Sequence, residues 1–283
     1  MGLILTIDTG GTKTRLASFG SATSIEQAIT IEPEHSIELP TPRHPDEYMN
    51  TLISTILQHF PDLQNYSDDT TIVLASTGLI NGATISSPTI GWKDFPLQSE
   101  LKRLLANNRV IVGNDAKIGA VGAFAGSPTR RGLYLAIGTG IGGGMIIDDR
   151  LSSDLSNMEV GKTIFTEKHE THTWEALASG SAFYKKYGRL GQYIADNNPI
   201  WQEYAVNIAK GVVALLPVLL PEEIIIGGAM AEFFPKYSDA LRQIVARDSW
   251  QPAANVKITA TKDFRYAVNR GALLLALQQQ GIA

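Results

Sequence analysis

Short apolar runs that end in glycine recur along the chain, and this pattern predicts buried strands that enter tight turns. Three such junctions follow one another: residues 3–7 before the loop 8–13, residues 132–137 before the loop 138–144, and residues 224–226 before Gly227 and Gly228. A second apolar run follows each of the first two, at residues 14–19 and 145–147. The sequence therefore predicts one strand–loop–strand design used twice, which is typical of two related lobes.

Apolar positions three and four residues apart predict helices between these strands. We expect helices near residues 46–60, 98–106, 116–125, 200–219 and 266–279. We expect further strands at residues 28–31, 71–75, 109–112 and 256–259, and an irregular stretch at residues 76–97. Strands that alternate with helices indicate an α/β fold. The repeat places the lobe boundary near Gly113, with residues 1–113 and 265–283 in one lobe and residues 114–264 in the other.

The composition is that of a globular protein with an apolar core, since hydrophobic residues make up 44% and charged residues 18% of the 283 positions. The net charge is -4 without a long basic run, so we expect no nucleic-acid partner. Cysteine does not occur in the sequence, which excludes disulfides and thiolate metal sites and favours the cytoplasm. No apolar stretch approaches the roughly 20 residues of a membrane span, so we expect no membrane association.

The glycine loops are suited to holding phosphate groups. Backbone N–H groups can surround a phosphate only where the chain comes close, and a Cβ would obstruct that approach. Thr12 and Thr139 add hydroxyl donors to the first two loops. A single glycine pair is more often a plain hairpin turn. Three similar junctions, one of them with Asp8 at the end of its strand, favour nucleotide binding.

Two other phosphate-binding motifs can be compared with these loops. The sequence contains no GxxxxGK[ST], so the chain is not a P-loop protein. Gly138, Gly140 and Gly143 fit the GxGxxG of dinucleotide-binding proteins, with Glu159 near the position of a ribose-binding acid. That motif must open a helix, whereas residues 145–149 have the pattern of a strand and a turn. This context disfavours a nicotinamide-dependent dehydrogenase.

Four segments resemble, in this order, the first phosphate, connector, second phosphate and adenosine segments of the actin/hexokinase/heat-shock superfamily. They are DTGGTKTR (8–15), NDAKIGAVGA (114–123), AIGTGIGGGMI (136–146) and IIIGGAM (224–230). With GWKDFPL (91–97) and WEALASGSA (174–182), they are similar to the ROK family of bacterial sugar kinases and sugar-responsive repressors. The resemblance implies a two-lobed actin-like ATPase (ribonuclease H-like) α/β fold, with duplicated βββαβαβ lobes and a cleft between them.

The resemblance also implies a function and a set of site residues. The activity would be ATP-dependent phosphorylation of the 6-hydroxyl of a hexose, glucose by default, with Mg²⁺, in a cytoplasmic homodimer. Asp115 falls on the catalytic base of the family, although an Asn-Asp pair taken alone could simply cap a helix. The implied sugar-binding residues are Gly78, Asn114, Asp115, Glu159 and Glu175. Asp8 would hold Mg²⁺ through water. The implied phosphate-binding residues are Gly10, Gly11, Thr12, Gly138, Thr139 and Gly140. The implied adenosine-binding residues are Gly227 and Gly228.

The sequence departs from the family pattern around the sugar and around a metal. Most of the family carries a zinc site made from a histidine in an ExGH segment and three cysteines. Here Lys162 replaces the histidine, cysteine is absent, and the spacing of His169 and His172 offers only two ligands, so we expect no zinc. Thr89 replaces a family asparagine, and Thr77 a proline beside Gly78. Because lysine only donates hydrogen bonds, fructose, mannose, an N-acetylhexosamine or a modified sugar remain open as substrates.

Other functions share part of this pattern. A catalytically weak protein that binds sugar and nucleotide would keep the same motifs. A repressor of the family carries a helix-turn-helix before its first phosphate loop, and we expect none here because the first strand begins at about residue 3. The remaining alternatives are an actin-like ATPase without a small acceptor and a kinase that uses polyphosphate as donor.

Overall fold

The computed structural model describes residues 3–20, 24–61, 70–105, 108–167, 169–189, 191–263 and 265–281. The chain forms two compact units, the first from Met1–Gly126 and Val268–Ala283 and the second from Ser127–Ala267. None of the helices within these described ranges has the length and apolar character needed to cross a membrane.

The chain contains both strands and helices throughout its length, as the sequence predicts. The strands are β1 Ile4–Thr9, β2 Lys13–Phe19, β3 His35–Pro40, β4 Thr71–Ser76, β5 Leu79–Asn81, β6 Thr84–Ser87, β7 Trp92–Phe95, β8 Arg109–Asn114, β9 Arg131–Ile137, β10 Ile141–Ile147, β11 Arg150–Leu151, β12 Ile164–Glu167, β13 Glu170–Thr173, β14 Glu223–Gly227 and β15 Lys257–Ala260. The helices are α1 Ile25–Thr30, α2 Pro45–His59, α3 Leu97–Leu104, α4 Asp115–Phe124, α5 Trp174–Ala178, α6 Gly180–Tyr187, α7 Ile200–Leu219, α8 Phe234–Asp248 and α9 Ala267–Gln279.

Each unit contains a five-stranded sheet with the same arrangement. In the first unit the order is β3-β2-β1-β4-β8, with β1 antiparallel to β2 and parallel to β4, and β4 parallel to β8. In the second unit the order is β11-β10-β9-β14-β15, with β9 antiparallel to β10 and parallel to β14, and β14 parallel to β15. The predicted α/β fold with a duplicated design is therefore confirmed.

Helices cover both faces of the first sheet, which explains the uninterrupted apolar run of β1. Successive side chains of a strand point to opposite faces. Leu5 and Ile7 therefore pack in a cluster with Leu52 of α2, whereas Ile4 packs in a second cluster with Leu273 of α9. This double burial fixes the end of β1, where Asp8 lies.

The core of the second unit holds the short helix α5, which carries Glu175. Trp174 of α5 is fully buried in one cluster with β9, α7 and α8. Its indole Nε1 donates a 3.1 Å hydrogen bond to the Asn207 carbonyl oxygen on α7. The ring also lies directly on Gly211 of α7, where a Cβ would be 1.9 Å from Trp174 Cε2. The first turn of α5 is thereby fixed against the core.

Two local predictions are wrong. Residues 28–31, predicted as a strand, include the end of α1, which begins after Ser24 because the Ser24 hydroxyl accepts a 3.2 Å hydrogen bond from the Gln27 N–H. The third strand of the sheet is β3. The stretch predicted as irregular forms the three-stranded sheet β5-β6-β7.

Two boundaries also differ from the sequence interpretation. Helix α4 groups with the first unit, which extends to Gly126. Strand β10 begins at Ile141, so the glycines at positions 142–144 lie in a strand rather than in the turn. Residue 106, the predicted end of the helix at 98–106, lies outside the described residues.

Candidate active site

The carboxyl ends of three parallel strands in the first unit carry the predicted catalytic residues. The register pairs Thr9 of β1 with Ser76 of β4, and Ser76 with Asn114 of β8. Asp8 lies one position earlier on β1, and Asp115 follows Asn114 as the first residue of α4. The structure therefore brings Asp8, Asn114 and Asp115 to the same edge of one sheet, as expected for the ends of parallel strands in an α/β fold.

Asn114 has two roles in this arrangement. Its Oδ1 accepts a 3.1 Å hydrogen bond from the Lys117 N–H and so caps α4. Its Nδ2 donates a 2.9 Å hydrogen bond to the Gly78 carbonyl oxygen. The helix cap considered for the Asn-Asp pair is thus supplied by Asn114, and the same side chain joins α4 to the segment after β4.

Asp115 lies at the amino end of α4 and is partly buried. Its Oδ1 accepts a 2.7 Å hydrogen bond from the Ala116 N–H. The helix N-terminus favours a negative charge at this position. The carboxylate is therefore oriented by the backbone of its own helix, as a proton acceptor in a fixed position must be.

Gly78 is held in a conformation that side chains rarely adopt, with φ at +121°. A Cβ at this position would lie 2.6 Å from the Ser86 carbonyl oxygen and 2.8 Å from Ser87 Cβ. Only glycine fits between β6 and the Asn114 amide. The predicted grouping of Gly78 with Asn114 is present in the structure.

The carboxyl group of Asp8 is electrostatically coupled to Asp115. The pKa of Asp8 is raised to about 7, first by desolvation and then by the negative charge of Asp115, while the Arg15 guanidinium acts in the opposite direction. Such a pair suits a divalent cation, because Mg²⁺ uses one or two carboxylates and keeps several waters. Within the part of the chain that the structure describes, no three His, Asp or Glu side chains form a larger metal-binding group.

The first glycine loop is held by neighbours on two sides. The Gly10 N–H donates a 2.9 Å hydrogen bond to the Lys13 carbonyl oxygen and closes the turn. Thr41 binds the loop twice, through its hydroxyl to the Gly10 carbonyl oxygen at 2.9 Å and through its N–H to the Thr12 carbonyl oxygen at 3.0 Å. A Cβ on Gly11 would lie 2.3 Å from Thr89 Cγ2. Thr89, which replaces a family asparagine, therefore packs directly on this loop.

The second glycine loop has its own neighbours in the second unit. The Gly138 N–H donates a 3.0 Å hydrogen bond to the Gly140 carbonyl oxygen, and the Gly138 carbonyl oxygen accepts a 2.7 Å bond from the Gly180 N–H at the start of α6. Thr139, between the two loop glycines, is exposed. The chain continues into strand β10 and not into a helix, which confirms the expectation that this GxGxxG does not open the helix of a dinucleotide-binding motif.

Of the two predicted sugar-binding glutamates, the structure places Glu175 beside this second loop. Glu159 is exposed and precedes the single helical turn Val160–Lys162. Glu175 lies in the first turn of α5, and a Cβ on Gly140 would be 2.9 Å from its Oε2. The Lys162 ammonium forms an ion pair with Glu175 Oε1. The structure thus places Lys162 and Glu175 in direct contact, next to a predicted phosphate-binding glycine.

The third junction, at Gly227 and Gly228, has a packing explanation. Gly227 ends β14, where a Cβ would lie 2.1 Å from the Tyr134 hydroxyl oxygen on β9. Gly228 has φ at +73°, and a Cβ there would lie 2.7 Å from the Ile137 carbonyl oxygen. Both glycines are therefore required by the close approach of β9, whatever ligand lies beyond them.

The sequence interpretation missed one residue that holds the site together. Thr41 follows β3 in a stretch without a recognisable motif, and it is 31 positions from Gly10. Its hydroxyl also bonds with that of Thr14 at 2.9 Å. Only the antiparallel pairing of β2 with β3 brings Thr41 to the loop, so no local pattern could have identified it.

Comparison with known proteins identifies the family of this chain. The chain matches the model of the ROK family over residues 4–279. It is 30% identical over 258 residues to the N-acetylmannosamine kinase of Vibrio vulnificus strain CMCP6, covering 80% of this chain and 83% of that protein. It is 29% identical over 162 residues to the fructokinase of Lactococcus lactis subsp. cremoris, covering 53% of this chain and 56% of that protein.

Solved structures show the same fold. A ROK family glucokinase from Streptomyces griseus, in complex with glucose and AMPPNP, superposes with a TM-score of 0.80 at 21% identity, covering 98% of this chain and 100% of that one. The chain therefore belongs to the ROK family and has the two-lobed α/β fold of its sugar kinases.

Proposed function

We propose that this protein is an ATP-dependent sugar kinase that transfers the γ-phosphoryl group to the 6-hydroxyl of a hexose, with Asp115 as the general base. The observation that carries the proposal is the common sheet edge on which Asp8, Asn114 and Asp115 lie. Phosphoryl transfer needs positioning, charge neutralisation and a proton acceptor more than covalent chemistry from the protein. This edge would supply a proton acceptor and a metal-binding carboxylate together.

Asp115 is suited to accept the hydroxyl proton of the sugar. Its carboxylate is oriented by the Ala116 N–H, and a general base must be held within hydrogen-bond reach of the proton that it takes. Asn114 and Gly78, joined by their 2.9 Å hydrogen bond, would line the sugar beside it. The neighbouring Asp8 is the better candidate for the metal, because its desolvated carboxyl gains most from a cation.

Asp8 would hold Mg²⁺ through water. A bound Mg²⁺ supplies neutralisation of the phosphate charges during transfer. The residues present fit this ion, since burial and the charge of Asp115 raise the pKa of Asp8, and a bound cation would offset both effects. Arg15 gives only part of that compensation, because it also pairs with Glu38 at 2.5 Å.

The glycine loops are the proposed phosphate ligands. Gly10, Gly11 and Thr12 belong to the first unit, and Gly138, Thr139 and Gly140 to the second. The AMPPNP complex of the Streptomyces griseus glucokinase supports ATP as the donor, and polyphosphate is the alternative. Gly227 and Gly228 remain the proposed contacts of the adenosine.

The sugar class is proposed from the relatives and from the acidic residues. Glu159 and Glu175 can each accept two hydroxyl hydrogen bonds. The relatives include an N-acetylmannosamine kinase, a fructokinase and a glucokinase. Glucose is our first choice, with fructose and an N-acetylhexosamine as alternatives. We further propose that the protein is cytoplasmic and forms a homodimer. Light scattering coupled to gel filtration would test the homodimer.

A coupled ADP-release assay tests the function. Mg-ATP is supplied with a panel of hexoses, N-acetylhexosamines and their 6-deoxy analogues. We expect sugar-dependent ADP release that is lost with the 6-deoxy analogue of the preferred sugar and in Asp115→Asn. The matched control is Asp46→Asn, which changes an exposed aspartate of the first unit.

Each contrary result identifies a different alternative. Near-normal turnover in a folded Asp115→Asn protein would exclude Asp115 as the base. ATP hydrolysis that no sugar increases would favour an ATPase. Absence of turnover with retained sugar and nucleotide binding would favour a binding protein.

A further inference from the structure

We propose that Lys162 acts as the charge partner that allows Glu175 to lie beside the second phosphate loop, so that Lys162 controls nucleotide affinity through Glu175. This inference rests on the proposed nucleotide site. It assigns Lys162 a role in nucleotide binding, which is separate from any direct contact between Lys162 and the sugar. The one-residue change from a family histidine to lysine would then set the electrostatics of the phosphate site.

The first step of the argument is the position of the Glu175 carboxylate. Its Oε2 lies 2.9 Å from the point where a Cβ of Gly140 would be. The carboxylate is therefore in contact with the loop backbone and not extended into solvent. Its side chain retains 26% exposure. A nucleotide phosphate bound to the Gly138–Gly140 loop would have this negative charge as a near neighbour.

The second step is the position of Lys162. Its ammonium pairs with Glu175 Oε1, the oxygen other than the one that faces Gly140. The short helical turn that carries Lys162 is fixed, because the Lys162 N–H donates a 2.9 Å bond to the Glu159 carbonyl oxygen and the Trp174 N–H donates a 2.8 Å bond to the Thr163 carbonyl oxygen. The turn and α5 are thus joined by a backbone hydrogen bond. The ion pair of Lys162 with Glu175 is therefore supported by the backbone as well as by the two side chains.

The third step is the energy of a carboxylate near phosphate. Like charges a few ångströms apart repel by about 1 to 4 kcal/mol in partly solvated surroundings. A lysine bound to the carboxylate offsets most of this repulsion and adds attraction for the phosphate. Since Lys162 is 54% exposed, solvent reduces the net effect. We expect a change in affinity of about 3- to 10-fold when the lysine charge is removed.

Calorimetric titration with Mg-ADP in the absence of sugar measures this effect separately from sugar binding. We expect Lys162→Met to weaken Mg-ADP binding by about 3- to 10-fold, and Lys162→Arg to retain wild-type affinity. Glu175→Gln should bind at least as tightly as wild type, since the repelling charge is gone. The double variant Lys162→Met/Glu175→Gln should recover affinity to within about twofold of wild type. Added salt should reduce the difference between Lys162→Met and wild type.

Lys186→Met is the matched control. Lys186 forms an ion pair with Glu203 in the same unit, with 49% and 53% side-chain exposure. Loss of this pair should leave Mg-ADP binding unchanged. Circular dichroism and thermal melting confirm that each variant is folded.

The outcomes separate this inference from the proposed function. Wild-type protein that binds no Mg-ADP would overturn both. Wild-type protein that binds Mg-ADP, with Lys162→Met unchanged and only the KM for sugar raised, would overturn the charge-partner role and leave the kinase intact. Weakened binding in Lys162→Met that Glu175→Gln does not restore would also overturn it.

Discussion

The Asn114 side chain donates to the Gly78 carbonyl oxygen at 2.9 Å and, through its other amide atom, caps the helix that begins with Asp115. One amide therefore links a glycine with φ at +121° to the proposed catalytic base. If Asn114 binds the sugar as proposed, loss of its side chain should affect helix stability and sugar binding through two separable hydrogen bonds.

Substitution of Asn114 by serine and by alanine separates these two bonds. A serine hydroxyl can still cap α4 but is too short to bond Gly78. We expect Asn114→Ala to lower the free energy of unfolding by about 1–2 kcal/mol and Asn114→Ser by less. Both variants should raise the KM for sugar by similar factors. Urea unfolding and steady-state kinetics measure the two effects, with Ser24→Ala, which removes the cap of α1, as the control. Equal loss of stability in both variants would contradict this separation.

The contact of Gly11 with Thr89 predicts a compensating pair of substitutions. Gly11→Ala places a methyl group 2.3 Å from Thr89 Cγ2, so the first phosphate loop must shift. We expect weaker Mg-ADP binding and a loss of about 1–3 kcal/mol of stability from this overpacking. Thr89→Ser removes the obstructing methyl and should restore at least half of both losses in Gly11→Ala/Thr89→Ser. A double variant no better than Gly11→Ala would show that the loop depends on Gly11 for another reason.

The raised pKa of Asp8 predicts that this residue costs stability in the metal-free protein. The pKa of Asp8 is about 7 in the folded protein and about 3.9 in the unfolded chain. As the pH rises from about 4 through 7, the unfolded chain ionises more easily, and the fold therefore loses stability. In EDTA at about pH 8, Asp8→Asn should therefore be more stable than wild type by at least about 1 kcal/mol. The difference should vanish at about pH 4. Thermal melting across this range measures it. A less stable Asp8→Asn at alkaline pH would contradict the prediction.

Glu223 should have the opposite pH dependence. Its carboxylate accepts bonds from Lys257 Nζ at 2.9 Å, the Thr129 hydroxyl at 2.9 Å and the Thr259 hydroxyl at 3.0 Å. Burial acts to raise the pKa of Glu223, but these three donors together lower it below the ordinary value. The stabilisation is therefore present above the unfolded pKa of about 4.3 and is lost as pH falls through the folded pKa.

Replacement of Glu223 by glutamine tests this account. At about pH 7, Glu223→Gln should cost about 1–3 kcal/mol. The cost should shrink below about pH 4, as the wild-type carboxylate becomes protonated. The exposed Glu232→Gln is the control. A cost that does not depend on pH would indicate that packing, and not charge, makes Glu223 stabilising.

Local sequence signals predicted the strand–glycine junctions well. An apolar run that ends at Asp8 or Gly138 is recognisable without tertiary information, because burial on both faces requires continuous apolar residues. The same reasoning failed at residues 28–31, since α1 has only six residues, too few to show a helical period. Strands β5, β6 and β7 escaped prediction because each has only three or four residues.

The contacts that define the candidate site are harder to predict than its residues. The Lys162–Glu175 pair joins residues 13 positions apart, and Asn114 reaches Gly78 across 36 positions. Hydrogen bonds of this kind depend on strand register and on the packing of α5 against α7. The motifs identified Asn114, Glu175 and Gly140 singly, but only the fold shows which of them touch.

The repeated strand order has a consequence for how this chain could change over time. Asp8, near the end of β1, corresponds in the alignment of the two repeats to Gly138, which directly follows β9. Once two copies of a scaffold exist, one can keep a buried acid at this position while the other has a glycine there. Each copy then mutates under its own constraint. The duplicated scaffold thus lets the two junctions differ, with an acid at one and a glycine at the other.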